Sequence, residues 1–147
     1  MAVREARVSD AAEIAAMVRE HAAHEGALEH CHFDERAARA ALFGDAPTLR
    51  AFVAFTEDDP DVSAGCMLWY ATYSSWAAVP GAWVEDLYVR PAYRRTGLGR
   101  QLLDALRARV EGRVEWDVHV TNDAASQFYR RLGAVPVTDW TKFRWQR

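Results

Sequence analysis

Trp83-Val84-Glu85-Asp86-Leu87-Tyr88-Val89-Arg90-Pro91-Ala92-Tyr93-Arg94-Arg95-Thr96-Gly97-Leu98-Gly99-Arg100 is the stretch around which the rest of the chain is arranged. It reads as an apolar strand, a loop opened by Pro91, and the start of a helix whose apolar positions continue through Leu102, Leu103 and Leu106. A helix N-terminus presents unsatisfied N–H groups and the positive end of the helix dipole, so this loop is a ready anion site. Gly97 and Gly99 let the backbone approach a ligand, and Arg94, Arg95 and Arg100 add positive charge around it. The loop is not a P-loop, which needs Gly-Lys-Ser/Thr where this chain has Gly99-Arg100-Gln101. Nor is it a dinucleotide fingerprint, which needs a third glycine.

The pattern Arg-x-x-Gly-x-Gly, preceded by Glu85-Asp86-Leu87-Tyr88-Val89-Arg90-Pro91 and followed by Asn122, Phe128-Tyr129 and Leu132-Gly133-Ala134, resembles the GCN5-related N-acetyltransferases (GNAT). The resemblance runs from Val3 to about Trp145 and implies a single domain over residues 1–147. It also implies that the loop holds the pyrophosphate of acetyl-CoA.

Bulk properties exclude several classes. A chain of 147 residues, half of them apolar, can bury a full core without disulfide staples. A net charge of −3 gives no reason to expect a nucleic acid partner. Two cysteines, Cys31 and Cys66, make no disulfide framework and read as reduced thiols. Met1-Ala2-Val3-Arg4-Glu5 has no secretory pattern, and no apolar run is long enough to span a bilayer. The expectation is a cytoplasmic protein with no membrane partner.

Periodicity supplies the elements. Val3 to Arg7 reads as a first strand, and Ser9-Asp10 as the cap of a helix reaching His24, broken by Gly26. Asp34 caps a second helix that Gly44 ends. Arg50 to Phe55 and Ala64 to Tyr73 read as a hairpin around the solvated turn Glu57-Asp58-Asp59-Pro60-Asp61. Trp83 to Val89 is the next strand, followed by the Leu98 helix, which Gly112 ends. Val114, Trp116, Val118 and Val120 alternate with Glu115, Asp117 and His119 as a half-buried strand. Asn122-Asp123 starts a fourth helix that Gly133 caps, and Ala134–Val137 with Thr141–Trp145 read as a closing strand pair. The expected fold is α/β, a mixed central sheet of about six to seven strands with four helices in the order β-α-α-β-β-β-α-β-α-β-β.

Acyl transfer from a thioester to an amine needs an anchored donor, a hydrogen bond to the carbonyl oxygen, a route for the amine proton and a proton for the leaving thiolate. The resemblance assigns the anchor to Arg94, Arg95, Thr96, Gly97, Leu98, Gly99 and Arg100. It gives the pantetheine arm the backbone groups of Leu87, Tyr88 and Val89, with the amide near Leu87 as the oxyanion donor. Asn122, Ala125 and Tyr129 fall on its cofactor side, and the Tyr129 phenol is placed to protonate the sulfur. Glu85 is the candidate base, acting through water. By strand period, Glu85, Leu87, Val89 and Trp83 share one face and Asp86 and Tyr88 the other, unless a bulge intervenes.

The group His21, His24, His30, Cys31 and His32 invites a metal reading, but its spacing fits no zinc signature. Contact with the acceptor is the better functional reading, and no metal is expected.

Tyr70-Ala71-Thr72-Tyr73-Ser74-Ser75-Trp76, Tyr93-Arg94-x-x-Gly97-x-Gly99 and Ser126-x-Phe128-Tyr129-Arg130-Arg131 resemble, more narrowly, the spermidine/spermine (diamine) N-acetyltransferases. That resemblance places His24, Glu25, Trp76, Glu85, Asp86, Glu115, Trp116 and Asp117 on the acceptor side. Carboxylates between aromatic walls suit an elongated cation. In this chain Gly26-Ala27-Leu28 replaces bulkier residues beside Glu25, and the acidic pair expected before Trp140 is missing. The expected acceptor is a polyamine, a diamine or a thialysine-like amine. The resemblance also implies a homodimer. Two other readings are a non-catalytic acyl-CoA sensor and a protein N-acetyltransferase; a sensor would need the CoA loop but neither Glu85 nor Tyr129.

Overall fold

The computed structural model describes residues 2–147. The chain divides into two compact units, Met1–Trp116 and Asp117–Arg147. The first holds the sheet. Its elements are β1 (Val3–Glu5), α1 (Ala11–His24), α2 (Glu35–Phe43), β2 (Arg50–Phe55), β3 (Ser63–Ser74), β4 (Val79–Val89), α3 (Leu98–Arg107) and β5 (Val114–Glu115). Strand order follows chain order, β1-β2-β3-β4-β5, with antiparallel ladders throughout except the parallel β4–β5 pair. The α/β class, the four helices and the mixed sheet agree with the sequence.

The strand count does not: the sheet has five strands, not six to seven. Two expected strands account for the difference. Residues 134–145 form no ladder among the described residues. Pro136 lacks an amide N–H, and Val135, Val137, Trp140, Phe143 and Trp145 are all exposed, so no buried large side chain holds that segment extended. The strand expected over Val114 to Val120 shrinks to Val114–Glu115.

Two apolar layers flank the sheet. On one face α1 and α2 pack Ile14, Met17, Val18, Ala38 and Leu42 against Ala51, Val53, Cys66, Leu68 and Tyr88. α3 buries Leu98, Leu102, Leu103 and Leu106 along one helical stripe. Each such leucine contributes roughly 1.5–3 kcal/mol by leaving water. Asp34 caps α2 as expected, its Oδ1 accepting from the Ala37 amide at 2.8 Å. Asp10 does not cap α1. Its carboxylate instead accepts from the Arg7 amide at 2.7 Å and from both Arg4 guanidinium nitrogens at 2.7 and 3.0 Å. A one-turn 3-10 helix at Val8–Asp10 precedes α1 and turns that side chain back toward β1.

The second unit contains α4 (Asp123–Arg131). Asn122 caps it through Oδ1, which accepts from the Ala125 amide at 3.1 Å. Gly133, at φ 93°, closes it with paired bonds, Gly133 N–H to Arg130 carbonyl and Ala134 N–H to Tyr129 carbonyl. No residue of this unit is buried.

Candidate active site

The site is built on β4. Its register with β3 runs Met67 opposite Leu87 and Leu68 opposite Asp86, then Trp69 opposite Val84, so Glu85 is an extra residue and β4 bulges there. β3 is unbroken across this point, and Leu68 and Tyr70 share a face. Their partners Asp86 and Trp83 therefore share that face too, and Glu85 joins them, its Oε2 accepting from the Trp83 indole at 3.1 Å. The bulge has two consequences. Trp83 leaves the face of Leu87 and Val89, where strand period put it, and two successive carboxylates serve one side of the sheet.

The bulge also ends the parallel pairing. β5 meets β4 only at Ala82–Val114 and Trp83–Glu115, and from Val84 to Val89 that edge of β4 has no ladder among the described residues. The Arg90 amide donates to the Ala64 carbonyl at 2.9 Å, toward β3. Strand alternation then turns the backbone groups of Tyr88 toward β3 and those of Leu87 and Val89 toward the open edge. Arg94 marks that direction, its Nε donating to the Val89 carbonyl at 2.8 Å. Leu87 and Val89 thus turn backbone groups to that edge. Tyr88 turns its backbone to Cys66 of β3, and its buried ring stacks against His21.

Beyond Val89 the chain makes one turn at Pro91–Tyr93 and enters the glycine loop. Arg95 and Gly97 both take positive φ, 62° and 87°. Gly97 suits that conformation; Arg95 is strained in it, as residues at ligand-binding loops often are. The Thr96 hydroxyl donates to the Tyr93 carbonyl at 2.6 Å and braces the turn. The ladder of α3 begins with the Gln101 amide on the Gly97 carbonyl at 3.0 Å. The amides of Leu98, Gly99 and Arg100 stand ahead of it at the positive end of the helix. Arg100 is exposed, 3.6 Å from Asp104. A cavity of about 760 Å³ runs along α3 from Thr96 and Leu98 to Ala108. Its Glu57, Asp58 and Asp104 walls disfavour an anion.

The acceptor-side residues divide into two groups. Asp86 Oδ1 lies 3.2 Å from His21 Nδ1, and Glu25, one residue past α1, lies 3.8 Å from His21 Nε2. His24 is exposed at the end of α1. Trp76 is 93% exposed in the β3–β4 turn. Glu115 is bound to Arg113 at 2.9 Å, and Asp117, in the second unit, to Lys142. Trp116 is half-buried at the end of the first unit. In the second unit Tyr129 is half-buried on α4, its ring 5.3 Å from that of Phe128.

Sequence reasoning missed the position of His21. The His21–Glu25 spacing of four was visible, but the contact with Asp86 crosses 65 positions and no local pattern announces it. It also missed Arg90, which binds Glu20 and Glu13 on α1 and the Ser63 carbonyl, fixing α1 over β4. The Glu20 hydrogen bond raises the Arg90 pKa further, so the guanidinium stays charged. Burial, then the charge of Glu20, push the Tyr88 phenol up.

Comparison with known proteins agrees with this geometry. The family described as Acetyltransferase (GNAT) family matches residues 13–134. The thialysine N-epsilon-acetyltransferase of Mus musculus is 33% identical over 98% of this chain and 91% of its own. The spermidine/spermine N(1)-acetyltransferase-like protein 1 of Homo sapiens is 27% identical over 99% of this chain and 22% of its own. Among solved structures, an aminoglycoside acetyltransferase from an uncultured soil metagenomic sample, in complex with sisomicin, superposes with a TM-score of 0.77. It is 18% identical and covers 99% of this chain and 95% of its own, a likeness of fold. An open strand edge running into a helix-start anion loop, together with these matches, places the chain in the GNAT family of acetyltransferases, as an N-acetyltransferase.

Proposed function

We propose that the protein moves the acetyl group of acetyl-CoA directly to a primary amine of a small cationic acceptor, a thialysine-like amine or a diamine. The observation that carries this reading is the edge of β4 from Val84 to Val89, left open by the Glu85 bulge and leading into the Gly97 loop. The residues fit acetyl-CoA. A left-handed Gly97 bares the helix start, the amides of Leu98, Gly99 and Arg100 lead it, and Arg94, Arg95 and Arg100 bring positive charge in the same stretch of chain. These groups would hold the pyrophosphate, and the outward backbone of Leu87 and Val89 would pair with the amide-bearing arm. When bound, acetyl-CoA supplies an acyl group activated as a thioester.

The chain's own groups do the rest. The Leu87 amide donates to the carbonyl oxygen as negative charge builds there. Glu85, exposed and already oriented by Trp83, takes the acceptor's proton through water. An alkyl ammonium has a pKa of roughly 10, so attack at neutral pH requires such a route. The family resemblance assigns Asn122, Ala125 and Tyr129 of α4 to the cofactor, with the Tyr129 phenol as the group that would give the leaving sulfur its proton.

The cationic acceptor follows from charge. Among the described residues Glu25, Glu85 and Asp86 have no Arg or Lys partner, whereas Glu115 and Asp117 do. The name of the mouse relative supports an amine at the end of a flexible chain. The working form is proposed to be a cytoplasmic homodimer.

The test is CoA release from acetyl-CoA against thialysine, lysine, putrescine, spermidine, spermine, an aminoglycoside and a histone-tail peptide. Turnover on a small diamine or thialysine supports the reading; turnover on the peptide alone overturns it. The Glu85→Gln protein should bind acetyl-CoA normally in calorimetry while turnover falls about 10²-fold or more. Unchanged turnover removes Glu85 from the mechanism.

A further inference from the structure

His21 stands between two carboxylates on the α1 face of β4. Nδ1 is 3.2 Å from Asp86 Oδ1, and Nε2 is 3.8 Å from Glu25 Oε1. The ring lies on Tyr88, centroids 5.5 Å apart and planes within 20°, so rotating it out would break a stack against a buried partner. The charged and titratable surroundings are defined. β4 contributes Asp86 and Tyr88, α1 contributes Glu20, Glu25 follows at its C-cap, and β3 contributes Cys66 opposite Tyr88. Arg90 is occupied by Glu20 and Glu13, and Arg94 lies over the Tyr88 ring, 5.7 Å from its centroid. The segment after α1 brings Cys31 and Phe33 to the same core. Neither arginine pairs with Asp86 or Glu25.

Donor counting gives this arrangement two balanced states. An imidazolium has two N–H donors, one for each carboxylate. A neutral imidazole donating from Nδ1 to Asp86 turns the lone pair of Nε2 toward Glu25. Two acceptors then face one another 3.8 Å apart, and an outside donor is needed between them. An alkyl ammonium carries three N–H donors and positive charge, and so meets both at once.

We infer that His21 is a positioning residue for the acceptor: it aims Asp86 and Glu25, and it gives up its proton when an ammonium group of the acceptor binds beside it. This rests on the acceptor reading above and adds to it the group that tunes acceptor affinity. The exchange is balanced. The N–H bond at Nε2 breaks, its proton passes to water, and one positive charge replaces another between the same two carboxylates. The consequence is directional. Where the imidazolium state dominates, within the range of about pH 5 to 8 in which imidazoles titrate, apparent acceptor affinity weakens about tenfold for each unit of falling pH.

Two measurements test it. In steady-state kinetics, KM for thialysine should rise about tenfold per unit as pH falls through this range in the wild-type protein, and stay level in His21→Gln, which keeps a donor but does not titrate. Equal KM slopes overturn the inference. The second readout needs no variant and no turnover: NMR titration of the histidine rings with and without putrescine. His21 should lose its proton at lower pH when putrescine is bound; an unmoved His21 titration at saturating putrescine overturns the inference. Failure of the two readings separates cleanly. Turnover with an unmoved His21 leaves the acetyltransferase reading standing and removes His21. A moved His21 without turnover on any amine supports the exchange and removes the acceptor reading.

Discussion

Trp69 carries a buried indole N–H with no hydrogen-bond partner among the described residues. An unsatisfied buried donor costs about 1–3 kcal/mol, which offsets much of what its ring gains by stacking on Phe52 and under Arg50. Trp69→Phe should therefore change stability by less than about 1 kcal/mol in chemical denaturation, where an average Trp truncation would cost more. Asp10 behaves oppositely. Burial raises its carboxyl pKa, but hydrogen bonds from Arg4 and the Arg7 amide outweigh it and hold the group below the ordinary carboxylate range. Its stabilisation is fully present above the unfolded value of about 3.9 and is lost as pH falls through the lower folded value. Asp10→Asn should cost roughly 1–3 kcal/mol at neutral pH and flatten the acid limb of a stability–pH curve below about pH 4. A variant with an unchanged acid limb would show that the pair is neutral.

At the scale of elements, the loop from Val89 to α3 was legible because its requirements are local. Gly97 stands where φ is 87°, and the apolar stripe of α3 follows at once. Gly97→Val should weaken acetyl-CoA binding at least tenfold in calorimetry, with a stability cost of about 1–2 kcal/mol from strain. Undiminished binding would mean the loop does not hold the cofactor. α2, β2 and the hairpin were equally readable, since cap, turn and alternation lie within each segment. What escaped was set at a distance. The length of β5 depends on a bulge in β4, and the alternation of Val114 to Val120 is silent about it. The bulge itself was foreseen only as a condition, because Glu85-Asp86 gives no signal of which residue will be extra. The partners of Asp10 and His21 come from other elements, and one-dimensional patterns do not carry such pairs.

For the whole molecule, the apolar surface of the second unit is the unassigned quantity. Val120, Val135, Val137, Trp140, Phe143 and Trp145 are exposed, up to 100% at Trp145. Side chains of this size rarely stay in water together. A homodimer that covers them should give twice the 16.6 kDa chain mass in light scattering at micromolar concentration. A monomer mass would send the search for their partner elsewhere. The family match extends from residue 13 to 134 and so reaches into both compact units.

The open edge of β4 has a cost in colloidal behaviour. The side of β4 that joins no ladder beyond Trp83 among the described residues is a template on which a strand of another molecule can nucleate. The extra residue at Glu85 breaks the flat repeat such growth requires, and its charge, exposed at that point, repels a like copy. Cofactor occupancy would close the same edge, so acetyl-CoA should act as an anti-aggregant, and unliganded stocks should be the first to cloud on warming.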